Sequence, residues 1–231
     1  MKAELLHLTP LKTAYFACGE MMISSGDVRL VTASSMEQGQ AFADSLLGLS
    51  EPLEGCVKLL GKPIYQLPES VRLEPLQDVS HVSGGLVSNL KIWENLLLPA
   101  QFHHRVTEVE AERRLMEAID VLDNSELWKT SRLFALPDTL SPLASRVAGL
   151  LQAAVTRPRL IVGEFLLNDL EPRPLARLMK LLSWLKSEDP QLGILFIHLG
   201  SIAAESFSLN TLGDIEMVTL DPGTHAIPEN H

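Results

Sequence analysis

The sequence is poor in the residues that build metal centres, disulfide frameworks and membrane spans. Its 231 residues include only two cysteines, Cys18 and Cys56, which lie far apart and lack a Cys or His spacing that suits a metal. We therefore predict two reduced structural thiols and no metal site. The longest apolar runs, such as residues 160–162 and 194–197, are far shorter than the roughly 20 residues that cross a bilayer. An integral membrane protein is not expected.

Positive charge is also scarce. Lysine and arginine number 19 against 29 aspartates and glutamates, which gives a formal net charge of −10 and a pI near 5.2. This balance argues against nucleic acid or anionic lipid as the main partner, because both attract cations. Since the N-terminus lacks the continuous apolar stretch of a signal peptide, we expect a cytoplasmic protein that uses a specific protein surface.

Short apolar runs alternate with longer helical periods along the chain. The predicted strands cover residues 28–32, 56–60, 160–162, 193–197 and 215–220, and helical periods cover residues 92–127, 141–156 and 174–186. Prolines and paired glycines predict irregular structure for residues 66–85. The first helical stretch has an expected apolar stripe of Val106, Val109, Leu115, Ile119 and Leu122. Strands separated by crossover helices predict an α/β domain with a mostly parallel sheet flanked by helices.

Four segments share their order and spacing with a known family. They are residues 30–41 (LVTASSMEQGQA), 84–96 (GGLVSNLKIWENL), 140–148 (LSPLASRVA) and 160–172 (LIVGEFLLNDLEP), followed by Ile197 and His198. In this order they resemble the phosphate loop, the segment after the glutamine loop, the signature, and the Walker B strand with the switch histidine of ABC-transporter nucleotide-binding domains. The resemblance covers roughly residues 13–222.

The resemblance implies one domain of that family's fold over residues 1–231. An α/β core of about residues 1–85 and 155–231 would contain a mostly parallel sheet and a small antiparallel β part. A helical insert would occupy about residues 86–154.

The phosphate loop of the family is degenerate here. Such a loop works because glycines let backbone N–H groups wrap the phosphates, a lysine neutralises their charge and a Ser or Thr hydroxyl ligates Mg²⁺. Gly39 and Gln40 stand at the lysine and Ser/Thr positions, Glu37 lies in the loop, and residues 13–57 contain no lysine. The aligned cofactor-binding positions are Ser34, Ser35, Gln38, Gly39 and Gln40. We expect MgATP binding to be weak or absent, and no other cofactor.

The other nucleotide-binding elements of the family also have replacements at their functional positions. Gly163 stands where the family has the aspartate that holds the Mg²⁺ hydration shell, and Val82 or Ser83 stands at the glutamine-loop position. The degenerate signature consists of Ser141, Pro142 and Leu143, the last two in place of glycines. Proline lacks an N–H and leucine adds bulk where a partner's phosphate would approach.

Two catalytic positions of the family keep their residue types. Glu164 stands at the general-base position and His198 at the switch position. They are either catalytic relics or residues with local hydrogen bonds. The second interpretation is favoured, because a base without phosphate anchors has nothing to act on.

The best-preserved segment follows the glutamine-loop position. In the family this region lines a groove that receives a coupling helix of the membrane permease. We predict permease binding near residues 82–104, with these contact residues: Gly85, Trp93, Glu94 and Phe102. A core position in the insert is an equally good interpretation of Trp93.

The resemblance therefore implies a catalytically degenerate ABC ATP-binding-type subunit at the inner face of the membrane. It would be a structural or regulatory partner of a permease, as a homodimer or beside an active ATPase. Residues 88–99 are most similar to ATPases of MCE-associated lipid transport systems. Two alternatives stay open: a divergent ATPase that is active in a heterodimer, and a soluble ABC-like scaffold without a permease.

Overall fold

A five-stranded sheet, in which every neighbouring pair of strands is parallel, lies at the centre of the molecule. The computed structural model describes residues 2–80, 86–103, 106–122, 130–201 and 209–223. In spatial order the strands are β11 (Ile215–Thr219), β5 (Val28–Ala33), β10 (Gly193–Leu199), β9 (Leu160–Glu164) and β8 (Leu76–Asp78). The central strands β5, β10 and β9 are largely buried and apolar, as expected of a parallel sheet covered on both faces.

Two apolar clusters lie on the two faces of this sheet. Successive side chains of a strand point to opposite faces, so Leu30 and Phe196 join one cluster while Val31 and Ile197 join the other. The sheet is therefore the layer that separates the two halves of the core.

The helices begin at residues that the sequence marks. Their bounds are α1 (Met36–Leu46), α2 (Glu69–Leu73), α3 (Ile92–His103), α4 (Glu108–Val121), α5 (Thr130–Leu133), α6 (Pro142–Thr156) and α7 (Pro172–Glu188). The side-chain oxygens of Ser35, Thr107 and Ser141 cap α1, α4 and α6. Pro142 and Pro172 are first helical residues, where their missing N–H costs no helical bond.

Antiparallel strands build a second layer from the N-terminal part of the chain. One sheet has the order β4 (Met21–Ser24), β1 (Glu4–Leu8), β6 (Val57–Leu59) and β7 (Lys62–Pro63). A smaller sheet has the order β12 (Asp221–Pro222), β3 (Phe16–Cys18) and β2 (Leu11–Lys12). The predicted α/β class, parallel sheet and small antiparallel part are confirmed.

The prediction of irregular structure for residues 66–85 is wrong for the described part of that range. The chain forms α2 and β8 there, while residues 81–85 lie outside the described residues. β8 has three residues and pairs only with β9 at the sheet edge. A strand that short shows no hydrophobic period in the sequence.

Val109 does not belong to the predicted apolar stripe, because it is 77% exposed. It is the second residue of α4, whose buried face is set by Ala111, Leu115 and Ile119. That spacing of four residues places Val109 on the solvent side.

Helices α3, α4 and α6 pack against one another. Leu97, Leu115 and Leu150 belong to the same buried cluster as Leu30 and Phe196, so the helical segments share one core with the sheet. Among the residues that the structure describes, no helix is long and apolar enough to cross a membrane.

Candidate functional site

The predicted catalytic and nucleotide-binding residues lie at the carboxyl ends of the parallel strands, the edge where α/β sheets commonly bind ligands. Ser34 follows β5, Glu164 is the last residue of β9, and His198 is the last but one of β10. Asp78, which ends β8 beside β9, lies at the same edge.

The turn between β5 and α1 is much shorter than a phosphate loop. The strand ends at Ala33 and the helix begins at Met36, so only Ser34 and Ser35 connect them. A phosphate loop instead has four residues between its first glycine and its Gly-Lys pair. Glu37 consequently lies in the first turn of α1, where its own backbone N–H and the Ser35 hydroxyl hold the pKa of its carboxyl below the usual range.

Gln38 closes this turn from inside. Its buried side-chain Oε1 accepts hydrogen bonds from the Ser34 N–H at 2.6 Å and from the Ser34 hydroxyl at 3.1 Å. Its Nε2 donates to the Asp221 carbonyl at 3.0 Å, and its backbone N–H donates to Ser35 Oγ at 3.1 Å. A phosphate loop would point the Ser34 N–H at its ligand, but here that donor is bonded within the protein.

Gly39, at the family's lysine position, faces the ring of Phe165. A Cβ atom at Gly39 would lie 2.4 Å from Cζ and 2.7 Å from Cε1 of that ring, and 3.3 Å from the Ala33 Cβ. Since Phe165 is fully buried, the space into which a lysine side chain would leave α1 is occupied. Gln40, at the Mg²⁺-ligand position, is exposed on α1.

Gly163, at the position of the metal-binding aspartate, is packed in the same way. A Cβ atom there would lie 3.1 Å from Leu166 Cδ2 and 3.2 Å from Phe196 Cδ1. Both neighbours are fully buried and apolar. An aspartate at this position would bury a carboxylate without a partner, which is costly.

Glu164 lies among carboxyl groups rather than cations. Burial raises its pKa, and the charge of Asp44 raises it further against the opposing hydrogen bond of Ser80. Burial and repulsion from Glu164 and Asp44 raise the pKa of Asp78 to about 7. Where these carboxyl groups are ionised, their negative charge repels phosphate. Within the described ranges, no group of three or more His, Cys, Asp or Glu residues is arranged to hold a metal ion.

His198 is buried on the other face of the sheet. Its Nδ1 lies 3.3 Å from the Gly200 carbonyl, and burial lowers the pKa of its imidazole. Strand alternation places His198 on the side of Phe196 and Glu164 on the side of Val162. The structure therefore brings the two candidate catalytic residues to one sheet edge, with their side chains on opposite faces of the sheet.

These residues do not fit MgATP. Phosphoryl transfer needs open backbone N–H groups, a lysine and metal-binding side chains around the phosphates. The protein has a closed turn, two glycines packed against apolar side chains, and carboxyl groups at the strand ends. We therefore derive no step of phosphoryl transfer for this chain.

The residues predicted to form a degenerate signature lie at an ordinary helix start. Ser141 Oγ accepts a hydrogen bond from the Ala144 N–H at 3.3 Å and caps α6. Pro142 is exposed at the first helical position, and Leu143 is half-buried against the core. Leu143 thus adds less exposed apolar surface than its sequence position suggests.

The Trp-Glu-Asn motif at the start of α3 has structural contacts of its own. Trp93 is half-buried against the core, and exposed Glu94 accepts a hydrogen bond from the Lys91 N–H at 2.7 Å. Asn95 is fully buried; its Oδ1 accepts from the Val87 N–H at 2.7 Å and its Nδ2 donates to the Val87 carbonyl at 2.9 Å. Asn95 therefore holds the preceding segment against α3.

Among the other predicted permease contacts, Gly85 lies outside the described residues and Phe102 is 61% exposed. Leu98 lies four residues before Phe102 and is also exposed, as is Glu94. Residues at this spacing share one side of a helix. We call Glu94, Leu98 and Phe102 the α3 face.

Sequence reasoning missed Asp78 and Phe165 at the strand ends, and Arg146 of α6, which contacts the chain after β9. The buried Arg146 donates from its Nη1 to the carbonyls of Leu166 at 3.2 Å and Asn168 at 2.7 Å, which fixes the chain after β9 against α6. The one signal for the Phe165 contact is a large aromatic residue directly after Glu164 combined with a glycine at the lysine position.

The fold is that of the ATP-binding subunits of ABC transporters. One similar structure is an ATP-binding subunit of an ABC transporter, with 17% identity, a TM-score of 0.74, and coverage of 93% of this chain and 85% of that chain. Another is cbiO1 from Clostridium perfringens, part of the ABC transporter complex cbiONQ, with 14% identity, a TM-score of 0.72, and coverage of 94% and 87%. A dimeric bacterial ABC transporter cassette aligns with 18% identity, a TM-score of 0.69, and coverage of 93% and 94%.

No family model and no curated protein matches the sequence. Identities of 14% to 18% show the fold alone.

Proposed function

We propose that this protein is an ABC-type subunit that supports a membrane permease structurally and does not hydrolyse ATP. One observation carries the proposal: the chain has the fold of a transporter ATP-binding subunit over 93% of its length, while the turn at its phosphate-binding position is closed by the protein's own side chains. A chain that retains this fold without room for the phosphate-binding lysine is suited to binding a partner rather than to catalysis.

The α3 face supplies the contact surface in this proposal. Leu98 and Phe102 are apolar side chains exposed one helical turn apart, while α3 itself is anchored on the core through Ile92 and Leu96. An aromatic side chain on a rigid helix is a typical anchor of a protein interface. Half-buried Trp93 fixes α3 from the adjoining side and contributes its exposed edge.

Such a subunit lies at the inner face of the membrane and reaches it through the permease. One similar structure supports this role, since cbiO1 is part of a transporter complex. A lipid cargo is favoured only by the similarity of residues 88–99 to ATPases of lipid transport systems.

The test is co-expression with a permease encoded beside its gene, followed by purification in detergent without nucleotide. We expect a stable complex whose affinity falls by about 2 kcal/mol, roughly 30-fold in Kd, on Phe102→Ala, with a smaller loss on Leu98→Ala. Val109→Ala and Met116→Ala, which truncate exposed apolar residues of α4, are matched controls and should bind like the wild type.

Equal recovery of all four variants would reject the α3 face. A protein that never associates with a membrane partner would instead favour the soluble scaffold. Co-purification of a second, motif-complete ATPase would make this chain the inactive half of a heterodimer.

A further inference from the structure

The contact between Gly39 and Phe165 joins the first turn of α1 to the end of β9. The ring tip of Phe165 lies where the first side-chain atom of any other residue at position 39 would have to be. The ring is fully buried, and Ala33 at the end of β5 closes the space from another side. Position 39 therefore accepts glycine alone as long as Phe165 keeps this position.

The backbone holds Phe165 in place. Its φ of +50° is in the left-handed region, which is uncommon for a bulky residue. Its N–H donates to the Ile197 carbonyl on β10 at 2.9 Å. A turn that keeps an aromatic residue in this conformation does so because the surrounding packing fixes it.

Leu166, the next residue, packs against a glycine on the other side of the sheet. Leu166 packs 3.1 Å from a Cβ position at Gly163 and belongs to the opposite cluster from Phe165. Of two consecutive residues, Phe165 thus occupies the place where the family has its lysine, and Leu166 packs tightly against the place of its metal-binding aspartate. If the lysine and the aspartate had been lost independently, large side chains would not be expected next to both positions.

We propose that Phe165 is a built-in plug, whose ring occupies the space of the phosphate-binding lysine and holds the turn of residues 34–39 closed without nucleotide. This inference rests on the proposed function, since it explains how the subunit keeps its shape with no ATP. Phe165 thus takes the place of the phosphate chain of a nucleotide and of the lysine that would bind it.

A double-mutant cycle on the isolated protein tests the contact. Alanine forms helix better than glycine, yet we expect Gly39→Ala to lower the Tm of the wild type by about 5 °C or more, as overpacking does. In a Phe165→Leu or Phe165→Ala background, the same Gly39→Ala change should leave the Tm unchanged or raise it. Phe196, equally buried in the opposite cluster, provides the control: Gly39→Ala in Phe196→Leu should cost as much as in the wild type.

Equal effects of Gly39→Ala in all backgrounds would overturn the plug. The plug would also be overturned if Gly39→Lys, made in the wild-type background, had the same Tm as the wild type.

Amide hydrogen exchange measures the closed turn directly. It needs no double variant, so it does not depend on a doubly substituted protein that folds. The N–H groups of Ser34, Gln38 and Gly39 have protein acceptors, so their exchange in the wild type should be slow and unchanged by MgATP. Phe165→Leu should speed exchange at least tenfold at residues 34–39 and leave α4 unaffected.

Fast exchange at these residues in the wild type, or protection gained on adding MgATP, would overturn the inference. Both experiments use the purified chain alone. A failure of permease binding and a failure of the plug are therefore separate results.

Discussion

The side-chain amide of Gln38 donates a 3.0 Å hydrogen bond to the carbonyl of Asp221, which lies 183 residues further along the chain. The same side chain accepts a hydrogen bond from Ser34, which directly follows the central strand β5, while Asp221 belongs to β12 of the small antiparallel sheet. One buried amide therefore connects the parallel sheet, the first helix and the C-terminal strand.

Removing this amide should destabilise the protein. Gln38→Ala deletes three side-chain hydrogen bonds and leaves the Asp221 carbonyl without this donor. We expect the free energy of unfolding to fall by about 1–3 kcal/mol in urea denaturation. Gln40→Ala, an exposed glutamine of the same helix, is the matched control and should stay within about 0.5 kcal/mol of the wild type. Equal effects of the two changes would contradict the role of Gln38.

Stability should depend on pH through Asp78. In the folded protein burial, then repulsion from Glu164 and Asp44, raises the pKa of Asp78 from its ordinary 3.8 to about 7. Between these values the folded state holds a proton that the unfolded state has released, so the free energy of unfolding falls as pH rises through this window. Asp78→Asn removes the effect and should be more stable than the wild type at pH 8, by a contribution on the order of 3 kcal/mol.

The difference between Asp78→Asn and the wild type should shrink toward pH 4, because the folded-state carboxyl is then protonated and the unfolded-state carboxyl, near its ordinary pKa of 3.8, has also regained part of its proton. Urea unfolding from pH 4 to pH 8 measures it. Parallel curves for the two proteins would show that Asp78 does not carry the pH dependence.

The isolated protein should release no phosphate from MgATP above background, and Glu164→Gln should change nothing. Gly39→Lys with Gln40→Ser should not recover turnover, because Gly163 and the signature residues Pro142 and Leu143 also differ from the family. Each charged hydrogen bond lost from the phosphates removes about 1.5–3 kcal/mol of binding. Hydrolysis that disappears in Glu164→Gln would refute this prediction.

Asn95 should stabilise the segment before α3. Asn95→Ala removes the two Val87 bonds and the bond from Nδ2 to the Leu90 carbonyl, all from a fully buried side chain. We expect a loss of about 2–4 kcal/mol in the free energy of unfolding and faster amide exchange at Val87. Asn89→Ala, exposed in the same segment, should have neither effect.

Any self-association should be independent of nucleotide. ATP shifts an equilibrium between open and closed dimers only if it binds one state better, and a closed turn gives it no such difference. Light scattering with and without MgATP should give the same mass, and an ATP-dependent shift from monomer to dimer would disprove the prediction.

Local signals in the sequence predicted much of the fold. Apolar runs marked the central strands, and the helical period of residues 141–156 marked α6, because both patterns depend on neighbouring residues. β8 escaped prediction because three residues at a sheet edge have no period, and Val109 was misplaced because the helix start shifted the buried face.

The sequence by itself determined which residues stand at the positions that resemble the family's phosphate lysine, metal aspartate and signature glycines, since each is a matter of residue identity. Only the tertiary structure decided what occupies their places. Phe165 meets Gly39, and Gln38 meets Asp221, because strands far apart in the chain end side by side at one edge of the sheet. Such contacts depend on strand order and on the face to which each side chain points, and no local pattern encodes either.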